Sequence, residues 1–254
     1  MMKISLITAT YNAADTVADS LRSAAMQTYR NVEHIVVDGA STDGTQKIVE
    51  ENGERLTTFV SEPDRGIYDA LNKGIALATG DVIGFLHADD LFAHQEVLSS
   101  VAEAFQDPKV DAIYGDLEYV KRVDPGRVVR RWVSGRFTSE RLAYGWMPPH
   151  PTFYARLGMY ERFGLFDLNY KISADYDHML RLLLRQETAV RYIPQTLIRM
   201  RLGGASNHSF RSVLLKSSED YRIIKNHKLR GLVTLLGKNL SKIHQIRPFG
   251  VANS

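Results

Sequence analysis

The chain has 254 residues, of which 44% are hydrophobic and 24% are charged, an ordinary composition for a globular protein. Because it has no cysteine, a disulfide, a thiolate metal site and a cysteine nucleophile are all excluded. The net charge is only +3, the amino terminus lacks a signal peptide's apolar region, and no run approaches the ~18 apolar residues of a membrane span, so we expect a cytoplasmic protein.

The first 90 residues alternate short apolar runs with helical stretches. Strands are predicted at residues 3–8, 32–38, 57–61 and 82–86, and helices at residues 15–27, 43–52 and 67–78. The strands are apolar along most of their length, as at Val36 and Val37, which is typical of strands covered on both faces. This pattern predicts an α/β fold with a mostly parallel central sheet.

Loops that follow parallel strands meet at the carboxyl edge of the sheet, where such folds bind ligands. Here these loops read TATYNAADT, VDGASTDGT, SEPDRGIYD and HADD. They bring eight polar residues to one edge: Tyr11, Asn12, Asp38, Asp43, Asp64, Arg65, Asp89 and Asp90. A turn or helix cap explains Asp43 in STDGT, but the convergence of four acidic loops predicts a ligand site.

Two adjacent aspartates, Asp89 and Asp90, follow the apolar run VIGFL. Neighbouring side chains at a strand end point in roughly opposite directions, so we expect different roles for the two. One can hold Mg²⁺ or Mn²⁺ together with substrate phosphates, and the other can accept a hydrogen bond from a ligand hydroxyl. The structural alternative is an N-cap on the helix predicted near residues 94–105.

Asp38 ends the second strand and is followed by Gly39 and Ala40, which are small enough for a ligand to approach. Its carboxylate can accept hydrogen bonds from the edge of a nucleotide base, and Tyr11 offers a ring on which that base can stack. The alternative interpretation is a turn aspartate and a surface tyrosine.

Beyond residue 110 the pattern is mixed. Strands are predicted on both sides of the turn at residues 124–126, followed by a proline-rich loop around His150, a helix at residues 173–185 and two strands, VRYIP and LIRMRL. In that helix Asp177 precedes Arg181 by four residues, which favours a structural ion pair. Asp175 lies in the first turn, where the helix dipole favours an ionised carboxylate that can act as a base.

The segments SLITATYNA, HIVVDGASTDGT, SEPDRGIYDALNKGIALATGDVIGFLHADD and HPTFYAR…GLFDLNYKISADYDHMLRLL together resemble glycosyltransferase family 2, over roughly residues 3–207. The resemblance is closest to bacterial enzymes of exopolysaccharide and surface-glycan synthesis. It implies a GT-A (Rossmann-like) fold with a nucleotide-sugar-binding half at residues 1–115, an acceptor-side half at residues 116–210 and a basic helical extension at residues 211–254. It also implies metal-dependent, inverting transfer of a sugar from a UDP- or GDP-sugar to a glycan or lipid-linked acceptor.

The resemblance assigns roles to residues at matching positions. Asp175 matches the general base, and Asp90 is favoured over Asp89 as the ligand of Mn²⁺ or Mg²⁺. The implied nucleotide-sugar site comprises Thr8, Tyr11, Asn12, Asp38, Arg65, Asp89, His150 and His208. Arg65 is included because many relatives have an arginine where this chain has Leu71, and Arg65 lies near enough to replace it.

Two other functions stay open at this point. A nucleotidyltransferase would use a similar sheet and cation, but it needs a glycine-rich phosphate loop after the first strand, and TATYNAADT has no glycine. A non-catalytic protein that binds sugar nucleotides or scaffolds a synthetic complex is disfavoured by the presence of both Asp90 and Asp175.

Residues 211–254 contain nine Lys or Arg and two Asp or Glu, a net charge of +7 that leaves −4 on the first 210 residues. Apolar residues at 229, 232, 233, 236, 240 and 243 predict an amphipathic helix. This helix either packs on the body or on a second copy in a homodimer, or rests on anionic lipid at the inner face of the cell membrane. Nucleic acid is not expected as a partner, because Leu and Ile rather than stacking aromatics separate the cations.

Overall fold

A computed structural model describes residues 1–185, 187–203 and 210–244 of the chain. Its first part alternates strands and helices, as the sequence predicts. The strands are β1 (Ile4–Thr10), β2 (Val32–Asp38), β3 (Leu56–Ser61) and β4 (Val82–Phe85), and the helices are α1 (Val17–Ala25), α2 (Thr45–Glu51) and α3 (Ile67–Leu77).

The second part mixes short strands with helices. Its strands are β5 (Leu91–Phe92), β6 (Ala112–Val120), β7 (Val128–Trp132), β8 (Tyr154–Arg156) and β9 (Val190–Arg201). Its helices are α4 (Val97–Ala104), α5 (Ser139–Ala143), α6 (Leu157–Phe163), α7 (Ala174–Leu183), α8 (Phe210–Asn226) and α9 (Leu232–His244), with a 3₁₀ turn at His150–Thr152. No helix in the described ranges is both long and apolar enough to cross a membrane.

In the described part of the chain nine strands form one sheet. Eight of them follow the order β3-β2-β1-β4-β8-β6-β9-β5, and β7 pairs with β6 outside this order. The first four strands are parallel, and β1 is central among them, with Ile7 opposite both Ile35 and Phe85. Since parallel strands end at the same edge, the loops after β1, β2, β3 and β4 meet there. The short strand β8 runs antiparallel between β4 and β6 and joins the two halves of the sheet.

Each central strand is buried on both faces, so its alternate residues enter opposite cores. Ile7, Ile35 and Phe85 pack with α3 and α7, whereas Leu6 and Val82 pack with α4. Gly84 in β4 leaves room for a neighbouring ring, because a Cβ atom there would lie 2.0 Å from Cε1 of Tyr154. The glycine in VIGFL is therefore required by packing between adjacent strands.

The sequence predicts two strands where the structure has the single strand β9. The pairing of β9 with β6 shifts between Tyr192 and Thr196, so Pro194 lies in a bulge where no ladder N–H is needed. The strands predicted around residues 124–126 are confirmed as the antiparallel pair β6 and β7.

Helix α9 docks on the body through Leu235, which packs against the core, and through small and polar residues beside it. The Thr234 hydroxyl donates to the Ala143 carbonyl at 2.7 Å, and a Cβ atom on Gly237 would lie 2.0 Å from the Tyr144 carbonyl oxygen. Its apolar stripe points away, and Leu232, Val233, Leu236 and Leu240 are all more than half exposed. The helix is thus amphipathic as predicted, with its apolar face turned outwards.

Candidate functional site

The loop after β1 is tied to the loop after β2 by Asn12. Its backbone N–H donates to the Ser41 hydroxyl at 2.8 Å, and its side-chain carbonyl accepts from the Thr42 N–H at 3.0 Å. Asn12 adopts a φ of +47°, a left-handed conformation that asparagine tolerates better than most residues. Asn12 therefore shapes the edge by bridging two loops.

Asp38 is fully buried at the end of β2 and is held by serines. Its carboxylate accepts from the Ser41 N–H at 2.9 Å and the Ser61 hydroxyl at 2.7 Å. The next residue, Gly39, lies beneath two other edge residues, because a Cβ atom there would be 2.5 Å from Asp64 Oδ2 and 3.3 Å from a ring carbon of Tyr11. The Tyr11 ring is 64% exposed, so it offers a flat surface beside Asp38.

Thr8 does not lie at this edge. It is buried within β1, and its hydroxyl oxygen lies 2.9 Å from Nε2 of His34. Thr10, two residues on, ends the strand opposite Asp38, and its buried hydroxyl has no hydrogen-bond partner in the part of the chain that is described. The structure therefore corrects Thr8 to Thr10, a residue that the position of the strand end could have indicated.

Two further residues of the predicted edge have local partners. The Asp43 carboxylate accepts from the Thr45 N–H at 3.0 Å at the start of α2, which confirms its interpretation as a turn and cap residue. Arg65 is mainly exposed, and its guanidinium lies 3.3 Å from Asp69 on the first turn of α3. In this conformation Arg65 contacts Asp69 at the side of the site.

The aspartates of HADD occupy different environments, as their opposite directions predict. Asp90 is 1% exposed and accepts from the Arg201 N–H at 3.3 Å. Asp89 is half-buried, and its carboxylate accepts no hydrogen bond from the described residues, while its backbone carbonyl accepts from the Arg201 guanidinium at 3.2 Å. Neither caps α4, which begins at Val97.

Burial and neighbouring charges around HADD shift the pKa values of Asp90 and His87. Burial raises the pKa of Asp90 well above its usual range, and the charge of Asp89 adds to the increase. Burial lowers the pKa of His87, although the carboxylates of Asp89 and Asp175 both oppose this shift. Burial and the two carboxylates, which lie on different elements, thus act on the pKa of His87 in opposite directions.

These residues fit a divalent cation shared with a ligand. Asp89 supplies an accessible oxygen donor, and the buried Nδ1 atom of His87 beside it has no hydrogen-bond partner within the described ranges. Those ranges contain no group of three His, Asp or Glu side chains that could hold a metal ion by themselves. The predicted metal ligand Asp90 is buried and bonded to Arg201, whereas the carboxylate of Asp89 is the more accessible of the two.

Asp175 lies in the first turn of α7, half-buried, and is oriented by Tyr68 of α3. The Tyr68 hydroxyl lies 3.1 Å from Asp175 Oδ1 and donates to the Ile172 carbonyl at 2.6 Å. Nothing in the sequence marks Tyr68, because the contact joins residues 107 positions apart. The neighbouring Asp177 instead bonds Arg181 and His227, both at 2.9 Å, which confirms its structural role.

His150 lies close to these groups but is a packing residue in this structure. It is 8% exposed and stacks on Phe85 with ring centroids 5.3 Å apart, and its ring is 6.0 Å from that of His87. Burial lowers its pKa to about 4, against the charge of Asp175. The predicted residue His208 lies outside the described residues.

Solved structures share this architecture. Staphylococcus aureus TarS 1-349 in complex with UDP-GlcNAc has a TM-score of 0.73 at 20% identity and covers 94% of this chain and 73% of its own. The mannosyltransferase PcManGT from Pyrobaculum calidifontis, in complex with GDP-Man and Mn²⁺, has a TM-score of 0.65 at 19% identity. The match covers 96% of this chain and 74% of that chain. The chain spans 64% of another TarS 1-349 structure and 39% of a longer TarS chain. The fold is therefore the GT-A glycosyltransferase fold that the sequence predicts.

Sequence relatives give the family. The model of glycosyl transferase family 2 matches residues 5–166. A PGL/p-HBAD biosynthesis glycosyltransferase of Mycobacterium bovis is 32% identical over 213 residues, which are 80% of this chain and 78% of that protein. An uncharacterized glycosyltransferase of Mycobacterium tuberculosis is 32% identical over 181 residues, which are 70% of this chain and 68% of that protein. The chain belongs to glycosyl transferase family 2 and is a glycosyltransferase, which decides against the nucleotidyltransferase and the non-catalytic alternatives.

Proposed function

We propose that this glycosyltransferase moves a sugar from a nucleotide-diphospho-sugar to an acceptor hydroxyl, with inversion and with a divalent cation, in the synthesis of a bacterial surface glycan or exopolysaccharide. The observation that carries the proposal is the sheet edge at which Asp38 ends β2 and HADD follows β4, on the two sides of β1. The proposed cation ligand Asp89 and the proposed base Asp175 both act to raise the pKa of His87, so each lies close enough to that imidazole for its charge to act on it. UDP-GlcNAc and GDP-Man in the structural neighbours support a donor of this kind.

In this proposal the loops after β1 and β2 hold the nucleotide. Tyr11 stacks on the base, and the Asp38 carboxylate, already oriented by two serines, accepts from the base edge. Thr10 offers the same ligand its hydroxyl, which has no hydrogen-bond partner among the described residues. Asp89 would hold the cation, and the cation would neutralise the negative charge on the departing diphosphate.

Asp175 takes the proton from the acceptor hydroxyl. The hydroxyl oxygen forms its bond to the anomeric carbon as the bond from that carbon to the diphosphate oxygen breaks, and the nucleoside diphosphate leaves with the electron pair. Asp175 lies in the first turn of α7, and the Tyr68 hydroxyl fixes the direction of its carboxylate. A single displacement of this kind inverts the configuration at the anomeric carbon.

The test is turnover of a panel of nucleotide sugars that includes UDP-GlcNAc and GDP-mannose, with Mn²⁺ or Mg²⁺ and with chelator. We expect metal-dependent release of the nucleoside diphosphate from at least one donor, and loss of that release in Asp175→Asn with donor binding retained. Full turnover in Asp175→Asn would refute the assignment of the base. Turnover that is equal in chelator would refute the role of the cation.

We also propose that the outward face of α9 rests on anionic lipid, at the inner face of the cell membrane. Leu232, Val233, Leu236 and Leu240 form an exposed apolar stripe on α9. The last turn of α8 adds an exposed cation at Lys225, and the turn between α8 and α9 adds Lys228 and Arg230. Apolar residues beside cations are complementary to an anionic lipid surface, and a lipid-linked acceptor would be presented there.

Sedimentation with vesicles of anionic or neutral lipid tests this surface. We expect binding to the anionic vesicles only, and loss of binding in the double variant Leu236→Gln/Leu240→Gln. Leu77→Gln, at an exposed leucine on α3, is the matched control and should bind as the wild type does. Unchanged vesicle binding by the double variant, or a dimer in solution that the double variant abolishes, would contradict the proposal.

A further inference from the structure

Helix α8 places a buried carboxylate against the segment that leads into α7. Glu219, 4% exposed, accepts three consecutive backbone N–H groups: Lys171 at 2.8 Å, Ile172 at 3.0 Å and Ser173 at 3.0 Å. Hydrogen bonds from N–H groups to an ionised carboxylate are stronger than those to a neutral acceptor. One side chain therefore fixes three successive residues of the backbone.

These three residues immediately precede α7, which begins at Ala174. The cap residue Ser173 makes no side-chain capping bond, and Glu219 holds the N–H of this cap residue and those of the two residues before it. Because Ser173 is buried, loss of the acceptor would leave its N–H without water as a substitute. The segment would then have to move to regain a partner.

The other side of the same segment is held by Tyr68. Its hydroxyl donates to the Ile172 carbonyl and lies 3.1 Å from Asp175. Ile172 is therefore bonded through its N–H to Glu219 and through its carbonyl to Tyr68. Asp175 follows two residues beyond Ser173, and its Oδ1 also accepts from the Tyr176 N–H at 2.8 Å.

We infer that Glu219 is a positioning residue for the transfer reaction: from the carboxyl-terminal helices it orders residues 171–173 and thereby aims Asp175 at the acceptor side of the site. The inference rests on the proposed function of Asp175. Residue 219 lies beyond the segment 5–166 that the family model matches, so the role belongs to the helical extension of this chain. Small displacements of a reacting group are enough to reduce a rate by orders of magnitude.

The test compares Glu219→Gln with a matched control, Glu33→Gln. A glutamine keeps one acceptor oxygen, but its NH₂ group faces one of the three N–H donors. Glu33 is equally buried and accepts from the Thr79 N–H and hydroxyl, but it lies near the start of β2, at the opposite edge of the sheet. Both variants lose a buried carboxylate, and only one of these carboxylates contacts the segment before Asp175.

For Glu219→Gln we expect kcat of donor turnover to fall by at least about tenfold, with the donor KM within about twofold of wild type. Amide hydrogen exchange in residues 171–176 should accelerate by about tenfold or more. For Glu33→Gln, both kcat and exchange in that segment should stay at the wild-type level. Glu219→Asp, which keeps the charge but shortens the reach, should show a smaller loss and serves if Glu219→Gln does not fold.

Wild-type kcat in both Glu219 variants would overturn the inference. So would a parallel loss of kcat and donor affinity that Glu33→Gln reproduces, because that result indicates a general loss of structure. If the wild-type protein turns over no donor in the panel, the proposed function fails and the inference fails with it. If the wild type is active and both Glu219 variants turn over the donor as the wild type does, the proposed function is retained and only the inference about Glu219 fails.

Discussion

At the scale of single residues, Asp89 and Asp90 show how far a motif alone can be interpreted. The sequence predicts that the two carboxylates differ, because neighbouring side chains alternate in direction. Which one is accessible depends on Arg201, whose backbone N–H bonds Asp90 and whose guanidinium bonds the Asp89 carbonyl. That contact spans more than 100 residues, so no local pattern could reveal it.

Asp90→Asn should keep metal-dependent nucleotide binding, because an asparagine oxygen can still accept from Arg201. Asp89→Asn should lose it, because the accessible oxygen donor for the cation is replaced by a neutral amide. Calorimetric titration with UDP and GDP in Mn²⁺ compares the two variants. Loss of binding in Asp90→Asn with retention in Asp89→Asn would indicate that Asp90, and not Asp89, is the metal ligand.

Tyr68→Phe should lower kcat of donor turnover by about tenfold and leave donor binding unchanged, because the hydroxyl contacts Asp175 and the Ile172 carbonyl and nothing on the nucleotide side. Tyr192→Phe is the matched control. It removes a hydroxyl that bonds Asp116 at 2.8 Å, near the start of β9 at the opposite edge of the sheet. An equal loss in both variants would contradict a specific role for Tyr68.

At the scale of elements, the sequence predicts strands best where both faces are buried. The bounds of β2 at Val32 and Asp38 agree with the prediction, because an apolar run followed by a glycine leaves little choice. β9 is less predictable, since Pro194 ends a strand in most contexts and only the bulge opposite β6 accommodates it. Helix α9 is predicted as an element, but the direction of its apolar face depends on what it docks against.

Gly237→Leu should detach α9 from the body, because the close approach to the Tyr144 carbonyl leaves no room for a side chain. We expect a loss of about 1–3 kcal/mol in the free energy of unfolding, measured by urea denaturation, and faster hydrogen exchange in α9. Gly158→Ala is the control, since a Cβ atom at this position in α6 has nothing within 4 Å. A stable Gly237→Leu variant with protected α9 amides would contradict this packing.

At the scale of the whole molecule, the convergence of four loops is predictable because parallel strands place their following loops at one edge. The places of Tyr11, Asp38, Asp89 and Asp90 at this edge follow from that rule, and the turn at Asp43 follows from its local sequence. The contacts of Tyr68 and Glu219 do not follow from it, because they join distant segments of the chain. The sequence therefore predicts the location of the site better than it predicts the contacts that support the site.

Three buried histidines should make the fold sensitive to acid. Burial lowers the pKa of His34 and His150 to about 4 and of His178 to about 3, against 6.5 in the unfolded chain. Below pH 6.5 the unfolded chain therefore binds protons that the folded protein does not, and the free energy of unfolding falls as the pH decreases towards 4. The contribution of Glu33, with a pKa lowered to about 2, is lost only at lower pH.

Urea denaturation between pH 7 and pH 5 should show this decline, on the order of 2 kcal/mol for each histidine as an upper limit. His178→Phe keeps a ring stacked on Tyr160 and removes one titrating group, so its decline should be shallower. A flat profile in the wild type, or an unchanged slope in His178→Phe, would contradict the role of the buried imidazoles.

A divalent cation at HADD is tested most directly by calorimetric titration of the wild-type protein with UDP and GDP, with Mn²⁺ and with chelator, followed by the same titration of Asp89→Asn. We expect the wild type to bind at least one of the two nucleotides in Mn²⁺ and to bind it much more weakly in chelator. We also expect Asp89→Asn to remove the difference between the two conditions. Binding of equal strength in Mn²⁺ and in chelator, or no binding of either nucleotide, would contradict a cation held by HADD against the diphosphate of a sugar donor.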